Sequence, residues 1–157
     1  MSISLLVAYT KNKRVIGAQG KIPWNIPSER NRFKQICKNK PVIMGRKSFE
    51  EIGKPLSYCT LVVISKNHTR NDVIFADSIE DAVEICKKMG EKEILVAGGG
   101  SIYKQTLPFA TKIYATEIDA DFDGDVFFPE LTGQWTKSIE SVHEENGIKY
   151  SYVTFIR

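Results

Sequence analysis

The residue best suited to chemistry is Glu29. It falls in the segment Pro27–Lys38, where Ile26, Phe33, Ile36 and Cys37 trace one apolar stripe of a helix. Glu29 shares that stripe, so its carboxylate faces the interior or a cleft. An unpaired carboxylate there is costly, and its pKa rises; such a group is a candidate acid or hydrogen-bond acceptor. The plainer reading is a first-turn acid favoured by the helix dipole, and a surface pair with Arg30 also stays open. The approach Pro23-Trp24-Asn25-Ile26-Pro27 is stiff and bulky, and suits a helix start held against a large partner.

Three further segments run from an apolar stretch into small or basic residues and a possible helix start. Val42-Ile43-Met44 leads into Gly45-Arg46-Lys47-Ser48, Leu61–Ile64 into Ser65-Lys66, and Ile94–Ala97 into Gly98-Gly99-Gly100-Ser101. Helix N-termini offer free N–H groups and partial positive charge to a phosphate. None of the three matches a dinucleotide or P-loop fingerprint. Taken singly, the glycines also suit a tight turn, and the cations a solvated helix start. Cations at an N-terminus oppose the dipole, however, and call for an anion. Several such sites at strand ends suit a ligand with several phosphates, such as a dinucleotide.

The elements that must position these residues alternate. Apolar runs at Ile3–Ala8, Pro41–Met44, Leu61–Ile64, Ile94–Ala97 and Ile113–Thr116 read as strands buried on both faces. Helical patterns lie between them at Pro27–Lys38, at Ser78–Met89, and from Gly100 to before Pro108. The expected fold is α/β, with a mainly parallel central sheet and flanking helices. Trp135–Val142 and Lys149–Ile156 predict an antiparallel hairpin at the sheet edge, turning at Asn146-Gly147. Thr10–Pro23 is polar and glycine-containing with no clear element, and a loop of that length suggests function.

The 157 residues suit one domain, 1–157, with a core that needs no staples. The net charge of +3 is dispersed, which favours small anions over nucleic acid. Cys37, Cys59 and Cys86 form neither a disulfide framework nor a zinc spacing, and His68 and His143 do not complete one. No metal is expected, and reduced thiols suggest the cytoplasm. The first ten residues lack the basic flank of a signal peptide, and no apolar run is long enough to span a membrane.

At this point the residues carry a resemblance. Pro23–Pro27 with Glu29 and Phe33-Lys34, the stretch Pro41–Leu56, Ala97–Tyr103, Ile118-Asp119, Gly124-Asp125 and Phe128-Pro129 together resemble the dihydrofolate reductase family, in order and over about Ile3 to Arg157. The resemblance implies that Glu29 and Thr116 hold the pteridine's amino group and ring nitrogen, with Trp24 beside a water. Leu6, Val7, Arg30, Phe33, Ile52 and Leu56 are then folate-pocket residues. Ala8, Ile16, Gly17, Ala97, Gly98, Gly99 and Tyr103 border the nicotinamide of NADPH, with Gly100, Ser101 and Ile102 next to them. Tyr103 also counts among the catalytic residues. Gly45, Arg46, Lys47, Ser48, Ser65 and Lys66 hold the cofactor phosphates, and Gly98-Gly99 forms a cis peptide. The loop Lys11–Ile22 closes over the site. A monomer that binds dihydrofolate and antifolates is implied, with no membrane or nucleic-acid partner.

The chain also departs from that family. Cys59 stands where an arginine usually pairs with the carboxylate of folate's glutamate tail, and a thiol cannot replace that fork. Arg30, Arg32 or Lys54 could substitute, or tail binding is weaker. Arg30 occupies a usually apolar place, Ala97 replaces a larger aliphatic residue, and Glu29 stands where many bacterial members have aspartate. These changes suggest an enzyme insensitive to antifolates such as trimethoprim. The alternatives are another reductase of the same fold, a folate binder without turnover, and an RNA-binding module. The last fits poorly with strands covered on both faces.

Overall fold

The structure is a computed structural model that describes all residues, 1–157. Its first strand, β1 (Ser2–Thr10), shows why the chain folds in layers. Leu5, Val7 and Tyr9 point into one apolar core and Leu6 into another, so the sheet is covered on both faces. After the short β2 (Val15–Gly17), the helix α1 (Pro27–Cys37) crosses to β3 (Pro41–Gly45). Then follow α2 (Arg46–Ile52), β4 (Thr60–Ile64), β5 (Ile74–Ala76), α3 (Ile79–Lys87) and β6 (Glu93–Val96). The helix α4 (Gly100–Thr106), a 3-10 turn at Leu107–Phe109, β7 (Lys112–Asp119), β8 (Val126–Phe127), β9 (Thr136–Glu145) and β10 (Ile148–Ile156) complete the chain.

Eight strands form one sheet in the order β5-β4-β3-β6-β1-β7-β10-β9. The six from β5 to β7 are mutually parallel, and β10 runs antiparallel to both β7 and β9. The α/β fold with its antiparallel hairpin edge is therefore as expected. Asn146 and Gly147 both take positive φ, 52° and 75°, as a two-residue hairpin turn requires. A Cβ on Gly147 would meet nothing within 4 Å. Gly147→Ala should therefore cost only backbone strain, about 1 kcal/mol, or roughly 2–4 °C in Tm for a chain of this size. An unchanged thermal melt would contradict this turn.

Two expectations need correction. Thr10–Pro23 is not free of elements, because β2 lies within it and pairs with β8. Strands of three and two residues carry no readable period. Ser65-Lys66 opens no helix: the Asn67 amide donates to Ser65 Oγ at 3.1 Å, and the chain turns toward β5. The side chain here supplies the acceptor that would begin a helix, and diverts the backbone into a turn.

The start of α1 is held from a distance. Its N-cap, Ile26, has no capping side chain. The Ser28 amide instead donates to Glu145 Oε2 at 3.3 Å, and Asn146 Nδ2 donates to the Asn25 carbonyl at 3.3 Å. The tip of the C-terminal hairpin thus does the capping work and fixes the helix that carries Glu29.

Candidate active site

Glu29 lies in the first turn of α1 and faces Thr116 on β7, which is almost wholly buried. Thr116 Oγ1 donates to Glu29 Oε1 at 2.9 Å. Glu29 Oε2 is buried and has no hydrogen-bond partner. Burial pushes this carboxyl above the usual carboxylate range, while the Thr116 bond and the Arg32 charge pull it back. The site therefore holds one satisfied oxygen and one that awaits a donor. Arg30 is exposed and forms no ion pair with Glu29, so the surface-pair reading falls away.

The surroundings of Glu29 are rigid. Trp24 packs with Ile26, Ile118 and Tyr150, and its ring meets Phe122 edge-on at 5.9 Å. The Tyr103 hydroxyl donates to the Leu6 carbonyl at 2.6 Å, and burial holds that phenol far above its usual range. Tyr103 is thus a fixed neutral donor. Leu6 shares its face of β1 with the apolar side of α1, and half-buried Phe33 and Leu56 pack against the same cluster. Ile52 is 37% exposed at the rim. Val7 departs from the expected lining: strand alternation sends its side chain into the opposite core, and only its backbone faces this side.

The cations expected to stand in for the tail arginine are joined by one more. Burial raises the Cys59 thiol to about 11, so it is neutral. Arg30 and Lys54 are exposed, and Arg32 lies over Tyr152, with its Cζ 3.9 Å from the ring centre. Lys34 is a further cation, exposed on α1, whose Nζ is 5.8 Å from the centre of the ring of Tyr58, the residue before Cys59. Tyr58 in turn packs edge-on to Phe33 at 6.5 Å. Lys34 belonged to a recognised motif, but its direction depends on Tyr58, which no spacing along the chain reveals.

The three suspected phosphate segments do converge. They leave the C-terminal ends of β4, β3 and β6, which are consecutive in the sheet, the edge where parallel sheets bind ligands. The Gly45 amide donates to the Gly98 carbonyl at 2.8 Å, and the Gly98-Gly99 peptide is cis. Gly98 has φ +114°, and a Cβ there would sit 3.2 Å from Ser48 Oγ and 3.4 Å from the Tyr103 hydroxyl. A Cβ on Gly45 would press on buried Ile102 at 3.1 Å. Only glycine keeps this backbone open to a close ligand.

Beyond it, a cleft of about 340 Å³ is lined by Arg46, Phe49, Ser65, Asn67, Thr69 and Arg70, among others. Asn67, Thr69 and Arg70 were missed, although they simply continue the polar run that starts at Ser65. Lys47 and Lys66 are exposed and outside that lining, and exposed Ser101 accepts from Gln105 at 2.9 Å. No three His, Cys, Asp or Glu side chains converge as metal ligands would.

The loop Lys11–Ile22 is tied on two sides. The Gln19 amide donates to Asp125 Oδ2 at 3.2 Å, the Asp125 amide to the Gly17 carbonyl at 3.0 Å, and the Ile22 amide to Glu51 Oε1 at 2.9 Å. Ile16 and Val126 then lie over Gly100, where a Cβ would be 2.8 Å from Val126 Cγ1. Ala8 and Thr116 are register partners in β1 and β7, beside Glu29.

Comparison with known proteins agrees with this geometry. Residues 2–157 match the family model described as dihydrofolate reductase. The chain is 46% identical over 132 residues to the dihydrofolate reductase of Haemophilus influenzae, covering 83% of this chain and 81% of that one. It is 46% identical over 157 residues to that of Buchnera aphidicola subsp. Acyrthosiphon pisum, covering 97% and 96%. It is 36% identical over 163 aligned positions to the dihydrofolate reductase type 3 of Salmonella typhimurium, covering 100% and 99%.

Proposed function

The chain belongs to the dihydrofolate reductase family and is an oxidoreductase acting on dihydrofolate, and from that premise we propose that NADPH is its reductant and Glu29 its pteridine-orienting group. The observation that carries the reading is Glu29 Oε2, buried without a donor while Thr116 engages Oε1. A pteridine supplies the missing donors from its amino group and adjacent ring nitrogen. An anionic Glu29 then holds the ring in register and raises the basicity of the ring nitrogen that takes up the proton. Water reaches that nitrogen past Trp24.

The open backbone at Gly45, Gly98 and Gly99 fits a nicotinamide dinucleotide, and Arg46, Ser65 and Arg70 fit its phosphates. That group supplies the hydride when bound. Tyr103 holds the Leu6 carbonyl and keeps β1 in place beneath the reacting rings. The tied loop Lys11–Ile22 keeps bulk solvent from them and leaves the path past Trp24 for the water that brings the proton.

Loss of NADPH absorbance on adding dihydrofolate tests the reaction. Turnover is expected. Tight NADPH binding without oxidation by dihydrofolate would favour another reductase of this fold, or a binder without turnover.

Lys34 takes the place of the absent tail arginine in this reading. Lys34→Ala should raise KM for dihydrofolate by about 2- to 5-fold, the scale of an exposed charge pair. It should leave KM unchanged for a reduced pteridine without the glutamate tail. Equal effects on both substrates would remove Lys34 from tail binding. Arg30, Ala97 and Glu29 alter the pocket that antifolates enter, which supports insensitivity to trimethoprim; an inhibition constant at the level of sensitive bacterial enzymes would refute it. Burial raises the thiols of Cys37, Cys59 and Cys86 alike, so all are protonated and slow to oxidise. Such thiols suit a cytoplasmic enzyme, and the resemblance to the family supports a monomer.

A further inference from the structure

Two buried side-chain polar atoms in this chain lack a hydrogen-bond partner, Glu29 Oε2 and Arg32 Nε. They belong to residues three apart on α1, which are neighbours on one helix face. One is an acceptor and the other a donor. The Arg32 guanidinium is clamped, its Cζ lying 3.9 Å from the centre of the Tyr152 ring. Tyr152 stands directly opposite Thr116 across the β7–β10 pair, and Thr116 is the residue that holds Glu29. Acid and guanidinium thus rest on paired positions of one sheet face. Unlike Arg46 and Arg70, Arg32 takes part in no ion pair. Its charge is not spent on an ion pair, and of the groups it acts on, Glu29, Tyr114 and Tyr152, only Glu29 is an acid that ionises in the ordinary range.

We propose that Arg32 is a positioning residue for the reaction: clamped on Tyr152 beside the acid, it keeps Glu29 anionic and its free oxygen turned to the pteridine. This rests on the reading of Glu29 as the pteridine's acceptor. Arg32 is the charge that acts on Glu29, although Glu145 holds the Ser28 amide at the start of α1 and Arg30 follows in the exposed turn. From β7 Glu29 meets Thr116, with Tyr114 further along; from β10, Tyr152; from α4, Tyr103. Tyr152 is pushed up to about 12, and Tyr103 and Tyr114 rise as well, so all three phenols stay neutral. A cation beside a half-buried carboxylate opposes the desolvation that burial imposes. An apolar side chain at this place would leave that penalty unopposed. The guanidinium is also weakly hydrated and stacks on an aromatic face, so it tolerates this position better than an ammonium would.

The test is to titrate the Glu29 carboxyl by carbon NMR in the ligand-free protein, assigning its signal by its loss in Glu29→Gln. In Arg32→Met and Arg32→Gln the midpoint should move up by about one pH unit, whereas Arg32→Lys should stay close to wild type. The acid-side rise in KM for dihydrofolate should move by the same amount. If neither neutral variant folds, Tyr152→Leu should also raise the midpoint, because it frees the guanidinium to reach solvent. A midpoint unmoved in the neutral variants, with only stability changed, would overturn the proposal and reduce Arg32 to packing. A moved midpoint in a protein that never oxidises NADPH with dihydrofolate would overturn the functional reading and leave the coupling intact.

Discussion

Glu29→Gln is expected to cut turnover with dihydrofolate by about 10²- to 10⁴-fold, the usual contribution of a positioned acid or base. The substitution is close to isosteric, and Thr116 can still donate to the amide oxygen as it does to Oε1. What is lost is the negative charge at the buried oxygen. A pteridine amino group would then face an amide N–H, and donor would meet donor.

The same variant should separate function from stability. Burial raises the folded-state pKa of Glu29 above its ordinary value, so the folded chain holds this proton more tightly than the unfolded one. The stabilising contribution of that protonated form is present below the ordinary carboxylate range and is lost as pH rises through the raised folded value. At neutral pH the wild type therefore carries a charge that opposes folding. Glu29→Gln should melt higher than wild type at neutral pH, and the gap should close as pH falls below the usual glutamate range. A variant that melts lower at neutral pH would mean that the charge is already satisfied within the fold. A variant that keeps wild-type turnover would refute the role given to Glu29.

What could be read from the chain alone follows from how each feature is held. The central strands were readable because each apolar run, such as Val42–Met44 or Ile94–Val96, is buried on both faces and interrupts a polar sequence. The hairpin was readable because Asn146-Gly147 states its own backbone geometry. Glu29 was readable as a violation, a carboxylate on an apolar stripe. The features that escaped depend on partners distant in sequence. β2 exists only because β8 pairs with it. The turn of Val7 into the opposite core needs the strand's phase, which a run of apolar residues hides. Arg32 and Lys34 sit on the same helix and look alike as charges, yet one is captured by Tyr152 and the other lies near Tyr58. Arg70 reaches the cleft beside Arg46 because β4 and β5 bring its loop back over α2, and it lies 5.5 Å from the Phe49 ring centre.

Arg46→Ala is expected to lower kcat/KM with NADPH by roughly 10- to 100-fold, the scale of one charge-assisted contact to phosphate, and to leave kcat/KM with NADH nearly unchanged. Arg46 and Arg70 are the cations lining the cleft at the ends of β3 and β4, and their charges are not equally available. Arg70 is held in two short bonds to Asp72, at 2.8 and 2.6 Å, which neutralise most of its field. Arg46 has only a loose contact with Glu50, at 3.7 Å between exposed groups. The freer cation should carry more of the discrimination, so Arg70→Ala is expected to cost less than Arg46→Ala. Glu50 competes with the phosphate for Arg46, so Glu50→Gln should improve NADPH use about 2- to 5-fold, consistent with the small value of an exposed pair. These effects should shrink as salt rises and screens them. Equal losses with NADPH and NADH in Arg46→Ala would place Arg46 on the phosphates shared by both cofactors, and would move the discrimination to Lys66 or Lys47.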